Sequence, residues 1–322
     1  MQEIKVATKN LLVKKLVILD GITRSGKFFL GRIIDGLKST EHFQAVDLIE
    51  IIPYLEKLGA IREDTAISLL QIMVDQWVYN IGIGRNLNFR YNDGSSIFKY
   101  PDLGRYLLKT FSQDKDRKET VKAINKDKRI SVFVTHEVLP CINIFFKSFP
   151  DFKMIHIIRH PIDIMYSWYL RGFGGREISD PLYLSPCVNI NNKTIPWYAY
   201  NWSDEYIKLS RMDRIIKSIE IITEISQNAY GLLPLKHKKN ILFVTYEDLI
   251  EDSWAVVKKA GLFLNTIPSE SMSTILAREN CNRKIDPLER KKKMLFIKKM
   301  ASPKMFKLMM RLASLHEKGK LF

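Results

Sequence analysis

Five short runs of apolar and β-branched residues punctuate the chain, at residues 15–20, 43–48, 130–135, 153–159 and 240–246. Their near-continuous apolar character is that of strands buried on both faces. Between them lie longer segments, such as residues 65–78 and 212–229, whose apolar positions recur at helical spacing. Strands alternating with helices predict an α/β fold of three layers, a central parallel sheet flanked by helices. Ligands of such sheets bind beyond the carboxyl ends of the strands. Gly21, His136, Arg159 and Tyr246 all emerge at predicted strand ends, which places four chemically useful positions on one edge.

The first of these ends is the most informative. Gly21-Ile22-Thr23-Arg24-Ser25-Gly26-Lys27 separates the apolar run Leu16–Leu19 from a predicted helix beginning near Leu30. A strand, a Gly-bounded loop and a helix form a phosphate cradle, because loop N–H groups and the helix N-terminus point at one spot. Gly21, Gly26 and Lys27 match the first seven positions of the P-loop pattern. The eighth position, where magnesium-dependent NTPases carry a Ser or Thr, is Phe28. The loop is therefore suited to phosphate but lacks the usual magnesium ligand.

The fourth run ends at Arg159, and His160-Pro161-Ile162-Asp163 opens a helix in which Pro161 and Asp163 are normal start signals. The planar fork of Arg159 can clamp a phosphate, and Ser167 can offer a hydroxyl to the same anion. The competing reading pairs Arg159 with Asp163 and leaves Ser167 to water.

Taken together in chain order, these residues resemble the sulfotransferases that use 3′-phosphoadenosine 5′-phosphosulfate (PAPS). That family's 5′-phosphosulfate loop reads Lys/Arg-Ser-Gly-Thr-Thr, and this chain has Arg24-Ser25-Gly26-Lys27-Phe28. Its 3′-phosphate motif, Arg-x-Pro-x-Asp-x-x-x-Ser, is matched in register by Arg159, Pro161, Asp163 and Ser167. The cytosolic branch carries Thr-His-x-x-Pro with a catalytic histidine, and Thr135-His136 precedes Pro140, one residue later than in the family. A late Tyr-Glu-Asp-Leu corresponds to Tyr246-Glu247-Asp248-Leu249, whose tyrosine can approach the adenine. The resemblance spans about residues 15–265. It departs from the family at Lys27 and Phe28, which replace two threonines.

The resemblance implies a single domain with a P-loop-like fold, PAPS as sulfuryl donor, no metal and a hydroxyl-bearing acceptor. It implies donor contacts from Thr23, Arg24, Ser25, Gly26, Lys27, Phe28, Arg159, Ser167 and Tyr246. His136 becomes the expected general base, since a neutral imidazole can take the acceptor proton. Arg24 stands where the cytosolic branch has a catalytic lysine; an arginine stays protonated and can only stabilise charge there. An arginine at this position resembles the tyrosylprotein and carbohydrate branches, in some of which a glutamate after the first helix is the base. Asp47 and Glu50 lie in that region and are the alternative bases. Phe28 and Phe29 are candidates for the core or for stacking on adenine, and Arg283 and Lys284 for the 3′-phosphate.

Composition narrows the partners. Of 322 residues 46% are hydrophobic and 27% charged, ordinary for a globular enzyme, whereas a net charge of +16 suits an anionic partner. Cys141, Cys187 and Cys281 lie far apart, forming neither a zinc set nor a disulfide framework. A reducing, cytoplasmic setting is expected, and the sequons at Asn192 and Asn201 are read as chance. Apolar runs fall short of the roughly 18 residues of a membrane span, and residues 1–15 lack a secretory apolar region. Residues 172–202, rich in Gly, Pro, Asn and aromatics, are either a substrate-binding loop or a surface excursion with packed rings. They and Arg24 favour a carbohydrate acceptor over a phenol or alcohol.

Residues 283–320 hold 13 Lys/Arg against 3 Asp/Glu. Within this basic extension (283–322), Met305, Leu308, Met309, Leu312 and Leu315 form an apolar stripe. Packing of that stripe on the domain is expected, and peripheral contact with an anionic membrane is the alternative. A P-loop kinase or NTPase and a non-catalytic polyanion or membrane-surface binder are the competing functions. Nucleic acid is not the expected partner, because no RNA-binding aromatic motif or zinc module is present.

Overall fold

In the computed structural model, β1 (Lys15–Asp20) is the middle strand of a five-stranded sheet. The other strands are β2 (Gln44–Ala45), β3 (Ile130–Val134) and β4 (Phe152–Ile158), a separate hairpin of β5 (Cys187–Ile190) and β6 (Lys193–Pro196), and β7 (Ile241–Thr245). The sheet order is β2-β3-β1-β4-β7 and every pairing in it is parallel. The structure describes residues 4–7, 9–111, 116–177 and 179–322, so residues 1–3 and 8 of the N-terminal stretch and Ile178 of the aromatic segment lie outside it.

The pleat explains why the strands read as unbroken apolar runs. Leu16 and Ile18 of β1 enter one core cluster, while Val17 and Leu19 enter the cluster on the opposite face. β4 does the same, with Phe152 and Met154 on one side and Ile155 and Ile157 on the other. Burying both faces requires helices on both. One layer holds helices Lys27–Ile34 and Ser253–Leu264. The other holds Asp47–Lys57, Glu63–Gly82, Pro161–Leu170 and Arg211–Gly231. This is the three-layer α/β arrangement expected from the sequence.

The predicted run at 43–48 needs correction. Only Gln44–Ala45 pair with β3, and Asp47 already begins a helix. Asp47 and Glu50 sit in its first turn, where the helix dipole favours carboxylates. That preference overrides the apolar run and turns both carboxylates toward the strand ends.

The basic extension folds as helices Pro287–Met300 and Pro303–Glu317, each begun by a capping side chain (Asp286, Ser302) and a proline in the first turn. Met305, Met309 and Leu312 are buried in the main core, and Leu308 and Leu315 pack against it. The apolar stripe is therefore spent on the domain itself. Arg290 and Lys293 reach Asp163 at 3.1 and 2.8 Å, fastening the extension to the start of helix Pro161–Leu170.

Candidate active site

The Gly21–Lys27 loop leaves β1 through backbone that only glycine tolerates well. Gly21 has φ +151°, and a Cβ there would stand 2.4 Å from the Ile157 carbonyl oxygen. Gly26, at φ +105°, caps helix Lys27–Ile34, and a Cβ would stand 2.6 Å from the Tyr246 ring. The loop is thus clamped between β4 and Tyr246, the first residue of helix Tyr246–Glu251.

Side chains from the neighbouring strand ends meet on this loop. Arg159 Nη1 donates to the Arg24 carbonyl (3.0 Å), and its guanidinium lies 4.2 Å from the Tyr246 ring centroid. Arg24 Nε donates to Ser167 Oγ (3.0 Å), and Trp168 Nε1 donates to the Thr23 carbonyl (2.7 Å). The alternative pairing of Arg159 with Asp163 is not formed, because Asp163 is held by Arg290 and Lys293. Among the described residues, Arg24, Arg159 and Arg171 make no ion pair. Burial first, then the charges of Arg171 and Arg159, press the Arg24 guanidinium below its usual value. Ser25 Oγ and Arg159 Nε are buried without a hydrogen-bond partner among the described residues. A buried polar group left without a partner costs free energy.

Two loop residues point elsewhere. Lys27 is buried, and its ammonium donates to the carbonyls of Gly21 (2.6 Å) and Ile22 (3.1 Å). Burial lowers its pKa against the opposing charges of Glu137, Asp20 and Glu50. Phe28 packs edge-on against Phe43 with centroids 5.7 Å apart, and Phe29 lies 5.9 Å from Tyr246. Arg283 and Lys284 are exposed, and Arg283 donates to the Asn280 carbonyl.

His136 follows β3, and its partner is a residue read from the sequence as a rival. Glu50 Oε2 accepts from both the His136 backbone N–H (2.6 Å) and Nδ1 (3.0 Å). Tyr54, one helical turn beyond Glu50, donates its hydroxyl to the His136 carbonyl. With Nδ1–H given to Glu50, Nε2 carries the free lone pair, and it makes no hydrogen bond among the described residues. Asp47 is exposed beside this pair. Partial loss of solvent around its carboxylate, then the charge of Glu50, raises its pKa.

Two carboxylates unnoticed in the sequence build the turn that carries His136. Asp20, fully buried at the end of β1, accepts from Thr135 Oγ1 (3.1 Å), Val138 N (3.0 Å), Leu139 N (3.1 Å) and His156 Nδ1 (3.1 Å). Burial opposes its ionisation, but the hydrogen bond and charge of His156, with Lys27 and the Val138 N–H, outweigh that and hold its pKa well below the aspartate range. Glu137 accepts from the Thr23 N–H, tying the His136 turn to the Gly21–Lys27 loop. Its pKa is raised by burial, against the charge of Lys27. An acidic residue closing an otherwise apolar strand was the available signal for Asp20.

His136, Glu50, Asp47 and Thr23 line a cavity of about 210 Å³. Its other walls come from Trp168 and from the aromatic segment, including Phe173, Arg176, Tyr183 and Tyr198. Residues 172–202 contribute both packed rings and cavity walls. Trp197 is buried and stacks on Tyr54 at 4.3 Å, while Phe173, Arg176, Tyr183 and Tyr198 wall the cavity. No described helix is long and apolar enough to cross a membrane.

The family model described as "Sulfotransferase domain" matches residues 14–308. No curated protein matches the chain significantly. Among solved structures, the sulfotransferase domain from the curacin biosynthetic pathway is similar at 14% identity and TM-score 0.47, over 96% of this chain and 99% of that one. That of the Synechococcus PCC 7002 olefin synthase is similar at 13% and 0.46, over 97% and 98%. Mouse sulfotransferase SULT7A1, complexed with PAP, is similar at 14% and 0.37, over 92% and 82%.

Proposed function

The chain belongs to the sulfotransferase domain family, and from that membership we propose that it moves the sulfuryl group of PAPS to an acceptor hydroxyl. The observation that carries the donor assignment is the unmatched cationic cradle. Among the described residues, Arg24 and Arg159 converge on the Gly21–Lys27 loop without a carboxylate partner, and Ser25 Oγ and Arg159 Nε are buried and unpaired. These residues fit a phosphate-bearing donor: Ser25, Gly26 and Arg24 at its 5′ end, Arg159 and Ser167 at its 3′-phosphate, and Tyr246 beside its base. PAPS, when bound, supplies an activated sulfuryl group with a phosphate leaving group. Arg24, permanently charged, stabilises negative charge beside the loop. Lys27 braces the loop from below through its two carbonyls.

His136 acts as general base through Nε2. Glu50 fixes the ring and its tautomer through Nδ1, and its carboxylate stabilises the imidazolium formed when Nε2 takes the acceptor proton. The acceptor occupies the neighbouring cavity. Its ring-bearing walls (Phe173, Tyr183, Tyr198) and polar lining (Asp47, Arg176, Ser185) support a carbohydrate, whose C–H faces pack on rings while its hydroxyls take polar partners.

The test is transfer from radiolabelled PAPS, without metal, to a panel of sugars, phenols and aliphatic alcohols. Label on sugars, absent with His136→Ala, is the expected result. Transfer only to phenols would refute the carbohydrate assignment. Phosphate transfer from ATP and Mg²⁺ with no sulfuryl transfer would refute the donor.

A further inference from the structure

The outward face of helix Pro287–Met300 has no role in the site. Its inner side carries Ile297, buried in the core, with Arg290 and Lys293 fastened to Asp163. Leu288, Lys291, Lys292, Leu295, Lys298 and Lys299 are all exposed; each lysine lies three or four residues from a leucine, which puts them on one face. Leu288 and Leu295 are 66% and 51% exposed. The next helix, Pro303–Glu317, has turned its apolar stripe inward and exposes Lys304, Lys307, Met310 and Arg311.

Most charges on this surface have no ion-pair partner among the described residues. Arg311 pairs with Glu220, but Lys291, Lys292, Lys298, Lys299, Lys304 and Lys307 form no ion pair among the described residues. Like charges three and four residues apart on a helix repel, so an anionic partner relieves the surface. Interleaved leucines decide which partner. A nucleic acid or an acidic glycan neutralises lysines but leaves Leu288 and Leu295 in water. A bilayer with anionic headgroups takes both, leucines entering the acyl boundary while lysine stems reach back to the phosphates.

We propose that the outward face of helix Pro287–Met300, with the cations of helix Pro303–Glu317, is a docking surface for an anionic lipid membrane. The proposal stands independently of the transfer reaction, since none of these residues lines the cavity beside His136. It also differs from the arrangement considered from the sequence, in which the apolar stripe of the last helix would meet lipid. That stripe is inside the protein, and the contact falls to the opposite side and to the preceding helix.

Sedimentation of the full chain with vesicles tests this. The protein is expected to partition onto vesicles of equal parts phosphatidylserine and phosphatidylcholine, to ignore pure phosphatidylcholine, and to release as salt rises. Two variants, Lys291→Glu with Lys292→Glu and Leu288→Gln with Leu295→Gln, each lower the partition coefficient by about tenfold or more. Unchanged thermal midpoints and retained binding of 3′-phosphoadenosine 5′-phosphate (PAP) verify folding; should the first variant misfold, Lys298→Glu with Lys299→Glu replaces it. Absence of binding to phosphatidylserine vesicles overturns the proposal. So does binding that the lysine change abolishes and the leucine change leaves intact, which would make the surface a site for nucleic acid or acidic glycans.

Discussion

A histidine at a strand end is a common and mostly idle feature. His136 differs because one carboxylate oxygen of Glu50 receives both its backbone N–H and its Nδ1. The loop and the ring are thereby fixed by one group, and the free lone pair is assigned to Nε2. Replacing His136 by Ala is expected to cut turnover by about 10²- to 10⁴-fold, the usual worth of a positioned base, with PAP affinity unchanged by calorimetry. Glu50→Gln, which keeps the shape but not the charge, should lose less in the same turnover assay. Asp47→Asn should leave turnover near the wild-type level; a collapse with Asp47→Asn and none with His136→Ala would make Asp47 the base. The sequence supplied all three residues but not their relation. Spacing along a chain cannot reveal that a carboxylate 86 residues upstream hydrogen-bonds the histidine.

At the scale of elements, the site is held by what joins strand ends. Gly26 touches Tyr246 so closely that Gly26→Ala must displace the ring or the loop. We expect a destabilisation of about 1–3 kcal/mol from the strained φ alone, read by chemical denaturation, together with weaker PAP binding. Asp20 joins β1, the turn after β3, and β4 through four hydrogen bonds. Its folded pKa lies below the unfolded value near 3.8, so below that pH the unfolded state takes up a proton the folded state refuses. Its contribution is therefore complete above pH 3.8 and is lost as pH falls through the folded value. Stability measured against pH should show this acid limb, and Asp20→Asn should flatten it while losing about 3 kcal/mol at pH 7. The buried strands were legible because both faces are apolar, and β1 was placed to the residue. β2 was overextended because an apolar run says nothing of the dipole that makes Asp47 a helix start. The hairpin of β5 and β6 escaped notice, as a short strand pair without a clean alternation offers little signal.

Over the whole molecule, charge is distributed with a purpose that a total of +16 conceals. One positive region lies at the strand ends, where exposed Arg24 and half-buried Arg159 meet over the Gly21–Lys27 loop beside polar atoms that are buried and unpaired among the described residues. The other is external, along the last two helices, where lysines share a face with exposed leucines. The excess of basic residues was legible from composition. Its division was not, because only the fold shows that Arg290 and Lys293 serve Asp163 while Lys291 and Lys292 face outward. The central claim is that the strand-end region is a metal-free site for a 3′,5′-bisphosphorylated adenosine donor. Calorimetric titration of PAP into magnesium-free protein, wild type beside Arg159→Ala, addresses it directly. The account predicts binding to the wild type and a loss of roughly tenfold to a hundredfold in the variant, the worth of hydrogen bonds to a charged group. Equal affinity in both proteins, or binding of nucleotide only as ATP with Mg²⁺, would contradict it.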